Sequence, residues 1–236
     1  MVNLDSLRPA LVRDEPYRWA SIPRLIDPGA AAALRESFPV EDFFHNEGED
    51  GEKTYQWRLR PLITQGSSGV APLPSPLAKV WHDLVGELVS PAFRSAFGQL
   101  LGTDLTGCRF EADMFRLGPG CWIGPHRDLP GKLASLIIYL NDDWDPAHGG
   151  TLRVLHSHDE DDATAELAPI AGTGALIVRS RRSWHSVTRV AAQAAGDRIS
   201  IQLIAWRASQ ESTNWTVDDA AQQVTAGRRV LRGRPR

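Results

Sequence analysis

Between Cys108 and Arg207 the chain breaks into seven short apolar runs, CRFEADMFRL, KLASLIIYLN, GTLRVL, AELAPI, GALIVRS, HSVTRV and RISIQLIAWR, divided by turn-forming residues. Runs of this length are too short for ordinary helices, and their Val, Ile, Leu and aromatic content suits strands that bury a face. Several such strands joined by short connections pair with antiparallel neighbours, and their apolar faces and edges are covered by an antiparallel sandwich or jelly roll. No other feature constrains the fold as strongly.

The residues before this region read differently. YRWASI suits a short strand or extended piece, and IPRLIDPGAAAALRESFP suits a helix, with Asp27 as N-cap, Pro28 in the first turn and Pro39 as the stop. FFHNEGEDGEKTYQWRLRPLI turns polar and acidic before an aromatic and basic stretch, as in a mobile excursion between elements. A second helix is expected from Ser75 as N-cap and Pro76, with Leu77, Val80, Trp81, Leu84, Val85 and Leu88 on its buried face. SPAFRSAFGQLLG suits a third. The chain thus reads as one mainly β domain with flanking helices. Residues 1–106 supply helical support and substrate loops, 107–207 the core, and 208–236 a C-terminal extension ending in the basic tail RRVLRGRPR.

A net charge of −3 supplies no electrostatic reason to expect nucleic acid as a partner, and no apolar run is long enough to span a membrane. The N-terminus lacks the basic start and apolar stretch of a secretory signal, so a cytoplasmic setting is expected, with Cys108 and Cys121 as reduced thiols.

The chemistry concentrates in WIGPHRDLPGK, where His126 and Asp128 stand two residues apart at a strand-to-loop corner. In an extended segment both side chains share a face and Arg127 points away. One such pair is a weak signal. A third ligand is offered by His185 in SWHSV, and two imidazoles with one carboxylate leave open the coordination positions that suit non-haem Fe(II) and oxygen chemistry, although zinc accepts the same three. Further on, GDRISIQL places Arg198 and Ser200 on one face of a strand, as a seat for a carboxylate. An interior guanidinium needs such a partner.

These motifs, with IIYLNDDWDPAHGGTLRVL between them, resemble the Fe(II)- and 2-oxoglutarate-dependent oxygenases of the double-stranded β-helix (jelly roll, cupin-like) fold, and most closely their prolyl-hydroxylase-like branch. The resemblance covers about Cys108 to Trp206 and implies His126, Asp128 and His185 as iron ligands. It also implies that Arg198 and Tyr139 hold the C5 carboxylate of 2-oxoglutarate, with Ser200 as a third contact. Fe(II), 2-oxoglutarate and O2 would be the cofactor and cosubstrates, consumed with release of succinate and CO2. Related halogenases lack the carboxylate ligand, so Asp128 favours hydroxylation. The segment VAAQAAGD between His185 and Arg198 is longer than in many relatives and reads as a longer turn.

Substrate contacts are expected from Arg116 and Trp122, which flank the metal corner, and from Tyr55, Trp57, Arg58 and Arg60. If those arginines face the mouth, the substrate carries a carboxylate or phosphate. His156 and His158 lie in an acidic loop and read as solvated surface, His45 and His82 as packing or surface residues, and His148 as a turn residue. Three functions follow: a hydroxylase of a small molecule such as an amino acid or natural-product intermediate, a peptidyl prolyl hydroxylase, or a cupin-like module that binds metal without turnover.

Overall fold

The computed structural model describes residues 1–50 and 53–210, so the expected C-terminal extension beyond Gln210, with its basic tail, lies outside the described residues. All seven apolar runs form strands. They are β4 (Arg109–Leu117), β6 (Lys132–Tyr139), β7 (Leu152–Leu155), β8 (Ala163–Leu167), β9 (Gly174–Val178), β10 (His185–Val187) and β11 (Arg198–Trp206). Four more join them: β1 (Trp19–Ile22), β2 (Phe44–Asp50), β3 (Lys53–Ile63) and β5 (Trp122–His126).

The strands run in the order β1-β9-β6-β11-β4-β3-β5-β10-β7-β8, with β2 paired to β3, and all these pairings are antiparallel. The sheet folds over between β3 and β5 into a nearly closed barrel, the jelly-roll architecture expected from the runs. Strand alternation divides its wide half into two apolar layers. Phe110, Ala112 and Met114 of β4, with Ile201, Leu203 and Ala205 of β11, face the helices. Phe115 and Leu117 of β4 face inward, packing with Trp57, Leu59, Tyr139, Leu152, Val154 and Val187 from both halves.

Three helices buttress the outer layer: α1 (Pro28–Glu36), α2 (Lys79–Leu88) and α3 (Pro91–Leu101). Ser90 caps α3 through its hydroxyl, which accepts from the Phe93 amide at 3.1 Å. Asp27 holds the N-cap position of α1, but its carboxylate turns to the Met1 ammonium, 3.2 Å away, instead of the helix amides. The second helix starts later than its Ser-Pro signal indicates, at Lys79 with Ala78 as N-cap. Ser75 has other partners: its amide donates to Asp42 Oδ2 at 2.9 Å, its hydroxyl to Glu41 Oε2 at 2.6 Å, and its carbonyl accepts from Arg60. These tertiary bonds outweigh the local cap.

The stretch read as a mobile excursion is a β-hairpin. β2 and β3 pair from Phe44↔Leu59 to Asp50↔Lys53, and β3 is an eleven-residue strand that joins the two halves of the sheet. Its apolar positions alternate as Tyr55, Trp57 and Leu59, a period-two signal partly hidden by the polar and charged residues around them. No helix among the described residues is long and apolar enough to cross a membrane.

Candidate active site

His126 ends β5 and His185 begins β10, and the two stand opposite each other in the antiparallel register. Between this pair and the next, Ile123↔Val187, β5 takes three steps where β10 takes two. The extra residue falls at Gly124-Pro125, a β-bulge that brings His126 to the interior face already held by Ile123. Gly124 is needed there, because a Cβ would come within 2.6 Å of Thr54 Oγ1 on β3.

The imidazoles lie with centroids 4.2 Å apart. Nδ1 of His126 is 2.9 Å from the Gly124 carbonyl oxygen, and Nδ1 of His185 is 2.9 Å from that of Ser183. A proton held at each Nδ1 leaves Nε2 as the ligating nitrogen. Burial holds both imidazoles below their usual range; Lys53 reinforces this at His126, while Asp128 opposes it at His185. Both rings are therefore in the neutral form that a metal requires.

Asp128 completes the cluster, with one ligand atom from each of the three residues within 4.8 Å of the others. Its Oδ1 accepts from Lys132 Nζ at 2.7 Å and its Oδ2 from Ser135 Oγ at 2.8 Å. Burial pushes this carboxyl up, but the Lys132 ammonium, which also donates to it, pulls it well below the ordinary range, so it remains ionised. Lys132 stands out in the sequence only as a neighbour of the metal corner, and Ser135 not at all. The available signal was strand phase, since Ser135 shares a face of β6 with Tyr139.

Deeper in the interior, Arg198 is 3% exposed. Its Nε donates to the Gly150 carbonyl at 2.7 Å and its Nη1 to Ser200 Oγ at 3.0 Å, and its guanidinium lies 5.2 Å from the Tyr139 ring centroid. Burial pushes the Tyr139 phenol up to about 12 against the pull of the Arg198 guanidinium beside it. No described carboxylate forms an ion pair with Arg198. A buried guanidinium beside a phenol, without a carboxylate of its own, is a candidate seat for a carboxylate. The turn that carries Gly150 depends on Gly149, at φ +67°, where a Cβ would run into the Arg189 carbonyl oxygen.

The other candidates divide by strand face. Tyr55 and Trp57 face inward with ring centroids 4.0 Å apart and planes tilted by 32°, and Lys53 Nζ lies 4.2 Å from the Trp57 ring centroid. Arg58, Arg60 and Arg116 project from the opposite face, in register as Arg58↔Arg116 and Arg60↔Met114. Arg60 is 1% exposed and is spent on Ser75 and Asp42, and Arg116 is paired with Asp197 at 2.7 Å. Trp122 lies under Arg189, 4.0 Å from its ring centroid, and donates to Thr54. The structure therefore does not bring these three arginines to the triad, and the condition for an anionic substrate is not met by them. Arg127 points away from the cluster, as expected, and stacks 4.6 Å over Trp184. His156 is exposed and bonds to Thr164, His158 packs on Trp184, and His148 is a turn residue beside Trp144.

A buried two-histidine, one-carboxylate cluster inside a jelly roll is a ligand set that could hold one metal ion. Residues 112–206 match the family described as the 2OG-Fe(II) oxygenase superfamily, and this segment is a domain of that superfamily, whose members use Fe(II), 2-oxoglutarate and O2. The match supports a 2-oxoglutarate-dependent dioxygenase. Among solved structures it is similar to a prolyl-4-hydroxylase from Pseudomonas putida, at 20% identity and TM-score 0.56 over 84% of this chain and 98% of that one. It is also similar to a prolyl hydroxylase from Trichoplax adhaerens in complex with a hypoxia inducible factor peptide fragment, at 16% identity and TM-score 0.54 over 80% and 83%. A third is the non-haem alpha-ketoglutarate-dependent epimerase SnoN of nogalamycin biosynthesis, at 16% identity and TM-score 0.53 over 91% and 86%. At these identities the likeness is one of fold.

Proposed function

We propose that the protein hydroxylates an unactivated C–H bond of a small molecule, with His126, Asp128 and His185 holding Fe(II), and Arg198, Tyr139 and Ser200 holding 2-oxoglutarate. The observation that carries this reading is the Arg198 guanidinium, buried without a carboxylate partner on the same interior as the triad. A metal-binding module without turnover has no use for such a seat.

With O2, the bound iron and 2-oxoglutarate supply the oxidising chemistry, and 2-oxoglutarate leaves as succinate and CO2. The chain's own residues set the geometry. Gly124 and Ser183 carbonyls fix the imidazole tautomers, and Lys132 and Ser135 keep Asp128 charged and oriented. Arg198, held by Gly150 and Ser200, anchors the far end of the cosubstrate, while Tyr55 and Trp57 wall the interior with apolar surface.

Succinate release that requires both Fe(II) and 2-oxoglutarate tests the reading, and Asp128→Ala should abolish it. Full turnover by that variant would sink the ligand assignment. A second reading, hydroxylation of prolyl residues in a peptide, draws on the fold likeness to the two prolyl hydroxylases. Mass spectrometry separates the two readings by showing whether a small molecule or a peptide gains the mass of one oxygen atom.

A further inference from the structure

We propose that Arg179 determines substrate specificity by receiving a carboxylate of the substrate at the rim of the interior, beyond the metal. The inference rests on the oxygenase reading above and narrows its small molecule to one that carries an acidic group.

Position along the barrel separates this arginine from the cosubstrate. On the inward face of β6, Tyr139 belongs to the carboxylate seat, Ile137 is the next residue, and Ser135 after it holds Asp128. Their partners on β9 mark the same steps, with Ala175 opposite Ile137 and Ile177 opposite Ser135, and both belong to the inner apolar layer. Arg179 is the next residue of that face, and its amide continues the ladder by donating to the Leu133 carbonyl at 3.0 Å. It therefore lies one inward step past the row that holds the metal carboxylate, on the side away from Arg198. A cosubstrate stretched from Arg198 to the metal leaves that side to the substrate.

The bonding of Arg179 suits an anion. Its Nε donates to the Asp128 main-chain carbonyl at 3.2 Å, which ties the guanidinium to the metal corner. Neither Nη1 nor Nη2 has a hydrogen-bond or ion-pair partner among the described residues, and the side chain is half-buried. With Nε held, these two nitrogens present an edge that can take both oxygens of one carboxylate. Lys53 borders the metal from the other sheet half. On the inward face of β3 it follows Tyr55, which pairs with Ile123, toward the end of β5 where His126 meets His185. After burial, its charge also helps hold both imidazoles below their usual range. Lys132 and Asp128 are paired at 2.7 Å, so Arg179 and Lys53 add positive charge around the triad, and a substrate carboxylate would be drawn to it.

The test uses the full-length protein with saturating 2-oxoglutarate, so that the Arg198 seat is filled. The probes are aliphatic and aromatic carboxylic acids, amino acids included, each beside its primary amide. With Mn(II), the acids should raise the melting temperature above that of the metal and cosubstrate complex. With Fe(II), they should raise succinate release above the substrate-free rate. The amides should need roughly tenfold higher concentrations or more for either effect, the loss expected for one charge-assisted contact. Arg179→Gln should erase most of this preference by weakening the acids roughly tenfold and the amides little. Arg179→Lys, which keeps the charge without the two-pronged edge, should fall between.

A panel in which no acid acts by either measure, or in which amides do equally well, overturns the proposal. So does an Arg179→Gln variant that weakens acids and amides alike, which would leave Arg179 with the Asp128 carbonyl as its whole role. A wild-type protein that releases no succinate and whose melting temperature does not respond to 2-oxoglutarate is the distinct outcome that would remove the oxygenase reading, and this proposal with it.

Discussion

Asp128 keeps its charge in the protein interior because each of its oxygens meets a donor, Lys132 at 2.7 Å and Ser135 at 2.8 Å. Burial raises this carboxyl and Lys132 is the largest influence lowering it. Lys132→Met should therefore move Asp128 upward, so that it takes up a proton at higher pH and stops ligating. The expected outcome is an acid limb of Fe(II) binding displaced to higher pH, with affinity recovering as pH rises; an unshifted limb would mean that Lys132 serves packing alone. At this scale His126, Asp128, His185 and Arg198 were legible in the sequence because metal and anion chemistry restricts the residue types. Ser135 was not, because it acquires its role from a neighbour across the interior.

The bulge in β5 connects element geometry to chemistry. Were β5 regular through Gly124-Pro125, strand alternation would put Ile123 and His126 on opposite faces. Gly124→Ala drives a Cβ against Thr54 Oγ1 and the Thr54 carbonyl. Such overpacking costs about 1–3 kcal/mol, read as a lower denaturant midpoint, and should weaken Fe(II) binding as β5 shifts against β3. Wild-type values for both would remove the bulge from the account of the site. The seven apolar runs were readable as strands because alternation and turn chemistry are local. β2 and β3 were missed because charged residues obscured their period, and the start of α2 was misplaced because Ser75 is bonded to Asp42 and Glu41 instead of capping the helix.

At the scale of the whole molecule, a metal and cosubstrate held by residues from both sheet halves would bind only the folded state. Adding Mn(II) as a redox-inert substitute together with 2-oxoglutarate, each at about a hundredfold over its dissociation constant, should stabilise by about 2.7 kcal/mol per ligand. For a chain of this size that is a rise of roughly 5–11 °C in melting temperature for each. Arg198→Ala should retain the metal increment and lose most of the 2-oxoglutarate increment. Loss of both, or of neither, would separate Arg198 from the cosubstrate.

The amino-acid sequence determined the strand-rich core, the helices around it and the identities of the candidate metal and carboxylate ligands, since periodicity and ligand chemistry are properties of short segments. Only the tertiary structure decided which face of each strand looks inward. Arg58, Arg60 and Arg116 are as polar as any substrate contact, yet they lie on the face of β3 and β4 away from the triad, while Asp113 lies on the inward face. A period of two fixes which residues share a face, but which face becomes the interior depends on how the distant β5–β10–β7–β8 half folds over the sheet.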